Sequence, residues 1–210
     1  MSTGIRKNLI LIYLLGLTAV LMFGTYLYSV SAQKSISDKV IRLHVIANSN
    51  LPEDQEIKLL VRDEILKNIG KEFTKAETKD EALEILYKKI PEIETISENT
   101  LKSEGLNYPV NAVLVKEEFP LKYYGVFCFP AGNYIALKVS IGEAKGKNWW
   151  CVLFPPLCLT EETFYNEGYE ILSKTLSEKD LEIIDYSENE KKSKVNIKFF
   201  VVEKWQELLT

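Results

Sequence analysis

The chain has 210 residues, 46% of them hydrophobic and 27% charged, with a net charge of −4. That is the size and composition of one globular domain. The acidic balance lacks the basic footprint that nucleic-acid binding requires, so no nucleic-acid partner is expected.

Arg6 and Lys7 precede residues 9–30, an uncharged and mostly apolar stretch. As a helix it would reach about 33 Å, enough for a hydrocarbon core of ~30 Å. Its basic flank predicts a cytoplasmic N-terminus and an exported remainder. Two readings stay open. One is a cleaved signal peptide, with Val30-Ser31-Ala32 fitting the small-residue rule before Gln33. The other is an uncleaved anchor. Residues 1–32 are therefore assigned as signal peptide or membrane anchor and residues 33–210 as a single extracytoplasmic domain. Membrane contact is expected only through residues 9–30, because the exported body is more acidic than the whole chain and charge does not draw it to anionic lipid.

In KVIRLHVIANS, Ile41, Leu43, Val45 and Ala47 share one face and Arg42 and His44 the other, the period of a strand. Asn48-Ser49-Asn50 reads as a turn. Pro52, Glu53 and Asp54 mark a helix start, since proline loses nothing in a first turn and acids suit the positive dipole end. Ile57, Leu60, Val61 and Ile65 repeat at helical spacing, and Gly70 is the expected stop. Thr78-Lys79-Asp80-Glu81 has the form of a capping box, Leu83, Leu86, Tyr87 and Ile90 follow on one face, and Pro91 is expected to end that helix. A third helix would then run to Gly105.

Strands are expected over residues 108–116, 123–129, 134–141 and 149–154, with a turn at Pro130-Ala131-Gly132-Asn133. Residues 164–176 read as a helix, Ser177-Glu178-Lys179-Asp180 as a further cap, residues 195–203 as a last strand, and the end as a short helix. Helices segregated from a run of strands predict an α+β fold: an antiparallel sheet covered by amphipathic helices, preceded by the N-terminal signal or transmembrane helix.

The chemistry is sparse. GEAKGKN at residues 142–148 is not a phosphate loop: Asn148 stands where a magnesium-binding hydroxyl belongs, and a strand follows where a helix N-terminus is needed. No cofactor is expected. His44 is the single histidine and the three cysteines show no metal spacing, so no metal site is expected. Cys151 and Cys158 flank Pro155-Pro156, either as a disulfide closing a small loop or as two buried thiols, and Cys128 reads as a core residue. The carboxylates fall mostly on helix faces and no acid/base pair stands out, so the chain is not expected to be an enzyme. Trp149 and Trp150 are strand neighbours and point to opposite faces, so both cannot enter one core.

IRLHVIANSNLPEDQEIKLLVRDEIL (41–66), FPLKYYGVFCFPAGNYIALKVSIGE (119–143), AKGKNWWCVLFPPLC (144–158) and VNIKFFVVEKW closely resemble the stage II sporulation protein R family of endospore formers. Asn50-Leu51 departs from the Asp-Ser expected in that turn. The resemblance implies a secreted sporulation signal made in the forespore and exported into the space between the forespore and mother-cell membranes. It implies one partner, a membrane-embedded aspartic protease of the mother cell, activated by direct binding and processing a sigma-factor precursor. The expected contact comprises Asn48, Ser49, Gly146, Lys147, Asn148, Trp149 and Trp150. Two rivals are an exported hydrolase acting on cell wall or peptide through Cys151 or paired carboxylates, and a structural protein tethered by its first helix.

Overall fold

A computed structural model describes residues 3–73, 75–158 and 165–186. A single helix, α1 (Thr3–Ser37), opens the chain. It is long and apolar enough to cross a membrane, with a mean hydropathy of 2.1, as a signal or anchor segment must be. Its apolar side chains up to Val30 are exposed, but its last turns are not: Ser29, Ala32 and Ile36 are buried against the domain. The helix therefore runs without a break through Val30-Ser31-Ala32 and ends as a part of the folded body.

Strand β1 (Ile41–Ile46) follows, then α2 (Pro52–Phe73) and α3 (Lys79–Ser103). Next come β2 (Val110–Phe119), β3 (Lys122–Tyr124), β4 (Phe127–Phe129), β5 (Gly132–Ile141) and β6 (Asn148–Phe154). Two short helices, α4 (Tyr165–Ser173) and α5 (Glu178–Ile184), complete the described part. The main sheet has the order β2-β5-β1-β6, and β3 and β4 form a separate hairpin. The fold is α+β as expected, but the sheet is mixed. β1 runs parallel to β5, with Ile41 opposite Ile135 and Ile46 opposite Ser140. The helices, β2 and the β3–β4 hairpin between β1 and β5 make a connection long enough for the parallel return.

The helices α2 and α3 cover one face, where Leu43, Val45, Leu137, Val139 and Cys151 meet Val61, Ile65, Leu86 and Leu101. The opposite face is also covered, by Ile36 from the end of α1, Val40 just after it, and Leu172, Leu181 and Ile184 from α4 and α5, over Phe119, Phe129, Tyr134 and Val152. Every residue of β1 is consequently buried, including Arg42 and His44 on the face that alternation alone leaves polar.

Five expectations need correction. The first half holds two helices after β1, because α3 passes through Pro91. The carbonyl that loses its donor there belongs to Tyr87, whose side chain is 75% exposed, so it faces water, while Leu86 and Ile93 anchor both sides in the core. Likewise α2 continues past Gly70, since burial of Ile69 and Phe73 outweighs the roughly 1 kcal/mol cost of a helical glycine. Leu60 lies on the exposed side of α2 rather than in the core. The run 123–129 is a hairpin, not one strand, turned at Gly125 with φ +56°. The Ser177 cap forms with Asp180 as a reciprocal capping box, whereas at Thr78 the Glu81 carboxylate takes the Glu77 N–H instead. The expected strand at 195–203 and the terminal helix lie outside the described residues.

Candidate functional site

At the end of β1 the chain turns through Asn48 and Ser49 into the first turn of α2. Asn48 Nδ2 and Ser49 Oγ both donate to Asp54 Oδ2, at 2.9 and 2.6 Å. Burial works against the Asp54 charge, but the hydrogen bonds from Ser49, Asn48 and Tyr108 prevail and hold its pKa below the usual carboxylate range. The turn is thus pinned to a fixed anion at a helix N-terminus.

The β5–β6 loop closes over this turn. Glu143 N–H donates to Asn48 Oδ1 at 3.0 Å, Lys145 N–H to the Asn48 carbonyl at 3.1 Å, and Gly146 N–H to the Ala47 carbonyl at 2.9 Å. Gly146 lies so close to the turn that a Cβ there would sit 2.2 Å from the Ser49 carbonyl oxygen. The loop at residues 142–148 is thus hydrogen-bonded to a fixed base. Lys147 and Asn148 stand exposed on top, and the Lys147 carbonyl accepts from Lys58 Nζ at 3.2 Å.

The two tryptophans separate. Trp149, opposite Val45, packs on the α2 side with the Arg62 guanidinium 4.1 Å above its ring. Trp150, opposite His44, lies on the other face, stacked on the His44 ring at 3.6 Å and edge-on to Phe119 at 4.5 Å. Of the seven expected contact residues, Asn48, Ser49, Gly146, Lys147, Asn148 and Trp149 gather at one end of the sheet, and the Trp150 ring points away from them.

The face beneath Trp150 holds polar groups that spacing did not reveal. His44 Nδ1 lies 2.7 Å from Glu117 Oε1, and Lys138 Nζ donates to the other oxygen at 3.1 Å. Arg42, fully buried, donates to the Tyr124 hydroxyl at 2.8 Å and lies 4.6 Å from the centre of the Phe119 ring and 5.0 Å from that of Tyr134. Burial lowers the Arg42 pKa and raises that of Tyr134. Neither residue's burial was foreseeable without knowing that α1, α4 and α5 cover this face.

Cys151 and Cys158 are joined, S–S 2.09 Å, with Cα atoms 5.5 Å apart. Cys151 pairs with Leu43 while His44 pairs with Trp150, so sulfur and imidazole lie on opposite faces of the sheet. The expected alternative of a hydrolase with Cys151 as nucleophile fails on both counts: the thiol is spent, and the one histidine cannot reach it. Among the described residues no group of three or more metal-binding side chains occurs.

The profile of the family described as stage II sporulation protein R matches residues 37–164. Stage II sporulation protein R of Bacillus subtilis (strain 168) is 37% identical over 191 residues, covering 82% of this chain and 85% of that protein. No solved structure matches the chain. These similarities tie the chain to sporulation.

Proposed function

This chain belongs to the stage II sporulation protein R family, and on that footing we propose that it is an exported signal that activates a mother-cell membrane aspartic protease by direct binding. The protease then processes a sigma-factor precursor. The observation that carries the reading is the rigid, solvent-facing tip formed by Asn48, Ser49 and Gly146–Asn148.

Its position supports the reading. The end of α1 lies at the opposite end of the sheet, where Gln33 Nε2 donates to the Asn133 carbonyl at 3.3 Å at the start of β5. β1 and β5 then run in parallel for six paired residues to the tip, about 20 Å at ~3.3 Å per residue. A body held at the membrane by α1 presents the tip at the far end of its strands, the geometry that contact with a protein in a facing membrane needs. Activation asks only that the tip bind the active state of the protease better than the inactive one. A hundredfold preference supplies about 2.7 kcal/mol.

Lys147→Ala/Asn148→Ala tests this by removing two exposed side chains that support no other part of the fold. Co-expressed with the protease and its precursor in a non-sporulating host, the double variant is expected to accumulate as a folded protein and leave the precursor uncut. Normal processing retires the tip as the contact.

A further inference from the structure

We propose that the tip reads a carboxylate: the partner presents an acidic peptide segment to a cationic patch formed by Lys58, Arg62 and Lys147 beside Trp149. The inference deepens the binding reading above and rests on it. Lys58 and Arg62 are one helical turn apart on α2 and share a face, and that face meets the start of β6. Lys58 is only 5% exposed, yet among the described residues no carboxylate lies within ion-pair reach of it. Its ammonium donates to two neutral acceptors, Gln55 Oε1 at 2.7 Å and the Lys147 carbonyl at 3.2 Å. An ammonium carries three donors, so one remains.

The neighbours add positive charge. Arg62 lies over Trp149 and pairs with Asp63 at its outer side, while Lys147 stands exposed at the rim. Burial, then repulsion from Arg62 and Lys147, lowers the Lys58 pKa. The buried carboxylates at both ends of the described fold are answered: Asp54 by Ser49 and Asn48, Asp180 by Lys39 and Ser177. Arg42 has the Tyr124 hydroxyl and aromatic rings around it, its Nε and Nη1 having no hydrogen-bond partner. Lys58 combines burial with like-charged neighbours and has no carboxylate within ion-pair reach among the described residues.

A buried ammonium without a counter-charge costs stability, and in a body of net negative charge the patch is a local inversion of sign. Low-dielectric walls focus such a field outward. A carboxylate arriving beside Lys147 supplies the missing counter-charge and meets the spare donor. An anionic membrane surface fits worse, because the acidic body surrounding the patch opposes it.

The test pairs stability with activity in the full chain, co-expressed with the protease and its precursor. Lys58→Met keeps the side-chain volume and removes the charge. It is expected to melt no lower than the parent, while processing falls at least about tenfold. Lys58→Arg, which keeps the charge, is expected to process within about threefold of the parent. Full processing by Lys58→Met overturns the inference, and so does a Tm drop of more than about 5 °C, which would make Lys58 a structural residue. If Lys147→Ala/Asn148→Ala is inactive while Lys58→Met is active, the carboxylate inference fails and tip binding stands. If both variants are active, tip binding fails with it. Lys147→Glu is expected to block processing and to be rescued by an acidic-to-Lys change in the exported part of the protease. A lipid target would leave it unrescued by every such change and overturn the proposal.

Discussion

Replacing Gly146 by alanine asks how rigidly the tip is built. The added Cβ would meet the Ser49 carbonyl oxygen at 2.2 Å, its carbon at 2.7 Å and the Ala47 Cβ at 2.8 Å. The first two obstacles are backbone, in a turn already fixed by Asp54, so no side chain can rotate out of the way. The loop must lift. Overpacking of this kind costs typically 1–3 kcal/mol, and lifting strains the Gly146–Ala47 and Lys145–Asn48 hydrogen bonds, each worth about 1 kcal/mol. A net loss of about 2–3 kcal/mol lowers the Tm by roughly 4–12 °C in a domain of this size. Thermal unfolding followed by tryptophan fluorescence reads the effect directly, with Trp149 and Trp150 immediately beyond the loop. Gly105→Ala is the matched control. Its φ is +75° with nothing within 4 Å of a Cβ, so it costs only the roughly 1–2 kcal/mol of a left-handed alanine and leaves processing intact. If Gly146→Ala is tolerated within about 0.5 kcal/mol, the loop is not seated on the turn and the argument for a preformed tip is wrong.

Two further predictions concern what holds the body and its helix together. Asp180 accepts hydrogen bonds from Ser35 and Ser177 and pairs with Lys39. Burial opposes its charge, but those partners, Lys39 first, bring its pKa down to about 2. Its folded value thus lies below the unfolded value of about 3.9, so its contribution is present above pH ~4 and is lost as pH falls toward 2. Asp180→Asn should therefore cost on the order of 2 kcal/mol at neutral pH and flatten the stability profile between pH 4 and 2; an unchanged profile refutes the clasp. Removing the disulfide as Cys151→Ser/Cys158→Ser should cost about 2–3 kcal/mol by loop entropy and leave processing intact at temperatures where the domain stays folded. Loss of processing in folded protein would give the cysteines a role beyond fold.

Much of this was legible where one local rule acts alone. Alternation placed Leu43 and Val45 opposite Arg42 and His44, and strand parity sent Trp149 and Trp150 to different faces. Proline and acids at 52–54 located the start of α2. What failed were places where tertiary packing overrides a local signal. Pro91 and Gly70 are helix breakers only when nothing buried lies beyond them, and here Ile93 and Phe73 do. Arg42 and His44 read as polar-face residues because α4 and α5, which cover them, are remote in sequence, and the end of α1, which joins that cover, read only as signal or anchor. Lys58 looked like one more charge on a solvated helix, since periodicity reports which face a residue occupies and not whether a loop 89 positions away closes over it.

The central claim is that a preformed tip, not a catalytic centre, carries the signal. A photoreactive side chain at position 148 of the full chain, in cells making the protease, tests it most directly. The account predicts a covalent adduct with the protease from position 148 and none from Tyr87 or Tyr169, which are exposed on α3 and α4. An adduct from Tyr87 or Tyr169 with none from position 148 would contradict it.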